Sequence, residues 1–201
     1  MSYAKIIKKT ILNIVLVSIV SFAVLYVGTM FTTSLEVLSN IFLSLIKFGG
    51  FFLAAMIFLW KLSETEGYKL GLAKQFDRKK YLKGVALSIA INFVFCAILL
   101  PIPGVQVVPL MLNYYLVFPN GILTDTFNVP TIPAMYISLI IDSPILLAVI
   151  FFGACSGDKY ATFIRESTEI ETDSSELLEQ ESTTTPRKPG TSWRDSVKRG
   201  E

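Results

Sequence analysis

The stretch TIPAMYISLIIDSPILLAVIFFGA, residues 131–154, holds one ionisable group, Asp142, in twenty-four residues. A helix of about 20 mainly apolar residues is what crosses the hydrocarbon core of a bilayer, so this run predicts a membrane span. Three more runs of the same kind precede it: ILNIVLVSIVSFAVLYVGTMF at 11–31, IFLSLIKFGGFFLAAMIFLW at 41–60, and VALSIAINFVFCAILL with its exit PIP at 85–103. Lys5, Lys8 and Lys9 precede the first run, as in a signal peptide, but its apolar stretch is about twice the length of a secretory core and no small-x-small cleavage site follows, which favours a retained span.

Composition supports the same class. Of 201 residues 52% are apolar and 17% charged, an excess that a soluble domain of this length has no core to absorb. There is no histidine. That excludes His-ligated metals, Ser-His and Cys-His nucleophile pairs and imidazole proton relays, and no P-loop, GxGxxG or CxxC is present. The chain is read as a non-enzyme with no cofactor, no metal site, no catalytic residue and no nucleic-acid partner.

Orientation follows from the Lys and Arg residues, because short positively charged loops stay in the cytoplasm. Three precede the first run, none separates the first from the second, seven lie between the second and third, none lies in 101–130, and seven follow the fourth. The expectation is an all-α, four-transmembrane-helix bundle, residues 1–155, with both termini cytoplasmic, integral to the plasma (inner) membrane. The basic loop 62–84 offers Leu72, Phe76 and Tyr81 or Leu82 as one side of a short interfacial helix, although an ordinary positive-inside loop is the preferred reading.

Segment 104–130 is unusual for an outer loop, with one charge, Asp125, among many apolar and aromatic residues. It lies along the interface, dips in as a re-entrant element, or covers a partner subunit, with an interfacial lid preferred. Pro119, Asn120 and Gly121 carry turn chemistry and predict a hairpin of two short extended arms. Tyr114, Tyr115 and Phe118 suit the headgroup level, where Tyr114 and Tyr115 would anchor to lipid or a partner.

Residues 156–201 form a cytoplasmic tail, acidic and then basic. Arg165 closes a helical extension of the fourth span, and the Ser, Thr and Glu that follow read as disordered. Trp193, in the basic end, is a candidate anchor for a partner protein or the inner leaflet.

Inside the spans two ionisable residues need a reason, Lys47 and Asp142. An ion pair between them would fix how the second and fourth helices pack; the alternatives are that Lys47 snorkels outward while Asp142 is protonated or meets a partner subunit, or that the two line a transport path. Asn92, one turn from Cys96, is expected to hydrogen-bond to a neighbouring helix, and the pairs Gly50/Ala54 and Ala86/Ala90 permit close helix approach. Cys155, at the inner boundary, is a weak candidate for palmitoylation.

The function expected is that of a small accessory, assembly or scaffold subunit of a larger membrane complex, bound to lipids and to protein partners in the membrane. The alternative is a small transporter or channel, active as a homo-oligomer, using Lys47 and Asp142.

Overall fold

The computed structural model describes residues 2–32 and 40–184, with side chains described for residues 2–24, 26, 48–115, 118–124 and 127–168. Everything described is helix, turn or loop: α1 (Tyr3–Thr32), α2 (Asn40–Leu72), α3 (Arg78–Leu99), α4 (Val107–Leu112), a 3-10 turn (Tyr114–Leu116), α5 (Val117–Phe127) and α6 (Thr131–Thr184). Four of these helices, α1, α2, α3 and α6, are long and apolar enough to cross a membrane. The protein is therefore a four-helix membrane protein, and its surface agrees. Leu12, Ile19, Leu53, Ile57, Ile98 and Ile140 all face outward, where a soluble bundle would place polar groups.

The chain divides into two units, Met1–Thr162 and Phe163–Glu201. In the first, the core is drawn from Ile6, Ile14 and Val17 of α1, Met56 and Leu59 of α2, Val85, Ile89 and Cys96 of α3, and Leu139, Leu146 and Ile150 of α6. Tyr115 and Phe118, from the segment between α3 and α6, belong to this same core. In the second unit the described residues continue α6, where the Ser167 and Thr168 hydroxyls donate to the Phe163 and Ile164 carbonyls.

The helices outrun their apolar runs. α2 continues twelve residues past Trp60 to Leu72, about 18 Å at 1.5 Å per residue. It stops in a Schellman arrangement, with Lys74 in the left-handed region (φ 53), the Gln75 N–H on the Leu70 carbonyl and the Lys74 N–H on the Gly71 carbonyl. After a short turn Asp77 caps α3, its carboxylate accepting from the Lys80 N–H at 3.1 Å. The basic loop thus has no separate interfacial helix. Tyr81 is buried in α3 and Phe76 packs on the core, whereas Leu72 and Leu82 are exposed. Likewise α6 does not end at Arg165 but runs to Thr184, where the sequence offers no proline until Pro186 and carries six Glu, a good helix former, in residues 166–184. Residues 185–201, with Trp193, lie outside the described residues.

Glycines decide how the prolongations of α2 and α6 meet. Gly67 and Gly71 on α2, and Gly153 and Gly157 on α6, are each four residues apart. A Cβ on Gly67 would collide with the Ala154 carbonyl, one on Gly157 with the Glu64 carbonyl, and one on Gly153 would stand 2.9 Å from the Trp60 carbonyl. Two facing small-xxx-small stripes let the backbones touch. The pair expected from the sequence, Gly50/Ala54, does no such thing: a Cβ on Gly50 meets nothing within 4 Å and Ala54 is exposed.

Candidate functional site

The segment between α3 and α6 is helical and folds inward rather than forming extended arms. α5 runs straight through Pro119-Asn120-Gly121. Pro119 falls in the first turn of α5, where its missing N–H costs nothing, and Gly121 is needed because a Cβ there would strike the Phe48 ring at 2.6 Å. α4 leads in, the 3-10 turn reverses the chain, and α5 leads out along α2, with Phe118 against Phe51 (ring centroids 5.7 Å apart). At the tip the Leu112 carbonyl accepts from the Ser18 hydroxyl at 2.7 Å. Ser18 is thirteen residues short of Phe31, the end of the first apolar run, or about 20 Å along α1. Tyr114 packs edge-on against Phe22 of α1.

Asn113 holds this hairpin in place. Its Oδ1 accepts from Asn92 Nδ2 at 2.6 Å and from the Tyr115 hydroxyl at 3.0 Å. Its Nδ2 donates to Asn92 Oδ1 at 3.3 Å, Cys96 Sγ at 3.1 Å and the Pro109 carbonyl at 3.1 Å. Asn92 and Cys96 do share a face of α3, and what they meet is the hairpin's own Asn113. Tyr115 is buried to 1% exposure, which makes it a hydrogen-bonding core residue and removes it from any headgroup anchor. Sequence reasoning passed over Asn113, although it is the lone amide in VVPLMLNYYL; nothing in one dimension pairs it with Asn92, twenty-one residues away.

Asp142 lies one helical turn from Ser138 on the inward face of α6, at 2% and 0% exposure. Among the described residues neither Asp142 Oδ2 nor Ser138 Oγ has a hydrogen-bond partner. The side chain of Lys47 lies outside the described residues, so the expected Lys47–Asp142 pair does too. Tyr136, six residues nearer the start of α6, ties that helix to α3 by donating to the Ala97 carbonyl at 3.0 Å.

The opposite end of the bundle carries the charged contacts. Lys9 of α1 meets Glu66 of α2 at 3.3 Å, and the Tyr81 hydroxyl of α3 stands 3.5 Å from the other oxygen of the same carboxylate. Arg78 of α3 reaches Asp158 of α6 at 3.6 Å. Glu66 carried no signal in the sequence, since it reads as one more charge in a solvated loop. Ala86 and Ala90 line an apolar cleft of about 430 Å³ between α3 and α6 beside Ser143 and Pro144, and so do not bring two helices into close contact. A second cleft, of about 210 Å³ between α1 and α3, has Asn92 as its polar lining residue.

Among the described residues no three of His, Cys, Asp and Glu gather closely enough to hold a metal ion. Both cysteines are free thiols, Cys96 buried and Cys155 partly exposed. No family model, curated protein or solved structure matches the chain.

Proposed function

We propose that the protein is a non-catalytic, four-span protein of the plasma (inner) membrane, with both termini in the cytoplasm, acting as a small accessory, assembly or scaffold subunit of a larger membrane complex. One observation carries this reading. The polar groups of the hairpin and α3 are spent on one another through Asn113 rather than left facing an open path, as suits a bundle built to hold a shape. The alternation of basic and uncharged connections supports the orientation, with the hairpin re-entering from outside. Because most of the aromatic hairpin is packed inside, the surfaces left for a partner are the outer side of α4 (Val107, Val108, Met111) and the tail with Trp193.

Purification from native membranes in mild detergent tests the role. A stoichiometric larger partner, lost when residues 186–201 are deleted or when Val108 and Met111 become Ser, is the expected result. A chain that purifies only with copies of itself, and whose reconstituted ion or solute flux disappears in Asp142→Asn, overturns it in favour of a small oligomeric transporter or channel. The observation favouring that second reading is the buried carboxyl of Asp142, whose Oδ2 has no hydrogen-bond partner among the described residues.

A further inference from the structure

Asp142 and Ser138 pose a chemical problem that the hairpin network leaves unsolved. A carboxylate shut away from water is costly unless its charge and its lone pairs are met. Asp142 is 2% exposed and its Oδ2 has no hydrogen-bond partner among the described residues. Ser138 is as deeply buried and equally unpartnered. Ser21 of α1 shares this state, but four other helical serines do not. Ser18, Ser63, Ser88 and Ser143 each donate to the carbonyl four residues back, at 2.7–2.9 Å. Ser138 makes no such bond to Ala134, so its hydroxyl keeps all its capacity. Spacing of four on α6 sets it on the same face as Asp142.

The available donors are oxygens. Oxygen donors select hard cations, and a single carboxylate balances one positive charge where a divalent ion would call for more. We propose that Asp142 and Ser138 form a buried binding site for a small monovalent cation of the sodium type. Binding of this kind is independent of whether the protein is a scaffold or a carrier. In a scaffold the ion is a structural cement on the inward face of α6.

The full chain in detergent or lipid nanodiscs, probed with sodium itself, decides the matter. Melting is compared in sodium chloride and in N-methylglucamine chloride at equal ionic strength, alongside retention of radioactive sodium. The expected results are a melting temperature that climbs with the logarithm of sodium concentration only in the first salt, and retained label that unlabelled sodium displaces. Asp142→Asn should cut retention by about tenfold or more, the loss expected when a buried charge partner is removed. Ser138→Ala guards against a misfolded Asn variant. It should weaken sodium retention while leaving the melting temperature in N-methylglucamine unchanged or higher, since it removes an unsatisfied hydroxyl. Equal melting in the two salts, or label retained equally by Asp142→Asn, overturns the site. So does a wild type that binds no sodium while Lys47→Met does, because Lys47 then supplies the charge.

Discussion

The two ends of this bundle are built by different physics. Where α2 and α6 extend past their apolar runs, glycines bring backbone onto backbone: Gly67 against the Ala154 carbonyl, Gly157 against the Glu64 carbonyl. The ion pairs Lys9–Glu66 and Arg78–Asp158 there each have a partly exposed basic partner. At the other end a helical hairpin enters the bundle, and side-chain hydrogen bonds through Asn113 fix its depth. The difference has a solvent reason. Where water reaches, it competes for every polar contact and close packing is the surer device. Shut away from water, an unmet amide has nowhere to turn, so one well-placed asparagine organises a whole segment.

Steric change at the glycine contact should produce the largest effect. Gly157→Val puts branched carbon where the Glu64 carbonyl already sits, and should cost about 3 kcal/mol, the upper end of overpacking penalties. A thermal or detergent-denaturation midpoint measures it, and a wild-type midpoint would mean that backbone contact is not what joins α2 to α6. Next comes Asn113→Ala. It strands the Asn92 amide and the Tyr115 hydroxyl, at about 2 kcal/mol. Hydrogen exchange should rise in α4 and α5 while the α2–α6 contact stays protected. Removing Asn92 as well should add less than its separate cost, a coupling of about 1 kcal/mol in a double-mutant cycle. Uniform loss of protection along the chain would erase the contrast between the ends.

Charge should matter less. Glu66→Gln keeps the shape and loses the attraction to Lys9, which is 39% exposed and can rehydrate, so about 1 kcal/mol is expected, shrinking as salt is added. A larger, salt-independent loss would make the ion pair rather than glycine packing the clamp of that end. The smallest change has the opposite sign. Gly50→Ala, with nothing within 4 Å of the new Cβ, should raise stability by about 0.5 kcal/mol through helix propensity alone. A fall instead would show that a contact hidden at Gly50 resembles the one at Gly157.

The locations of the spans were legible because hydropathy reports where lipid must lie. Runs 11–31, 41–60 and 131–154 fall on α1, α2 and α6, and the run 85–103 falls on α3 up to Leu99, its last four residues forming a turn. Helix ends were not, since a helix does not stop where the lipid does: α2 runs on to Leu72 and α6 to Thr184. The GxxxG spacings at 67–71 and 153–157 stood in the sequence but outside or at the edge of the apolar runs, where close helix packing was not sought. Pro119-Asn120-Gly121 misled for a physical reason. Each residue suits a turn, yet each also suits the first turns of a helix when the glycine faces an aromatic ring.

What the sequence determined by itself is the class of protein, through the amount and spacing of apolar residues, which need no partner to have their effect. Tertiary structure alone decided that the aromatic connection lies inside the bundle, that Asn113 meets Asn92, Cys96 and Tyr115, and that Asp142 shares a sealed face with an idle Ser138. Those facts depend on which residues distant in the chain come within about 3 Å, the range over which hydrogen bonds act. Hydropathy sums along a chain, whereas a hydrogen bond exists only between two atoms that the fold has brought together.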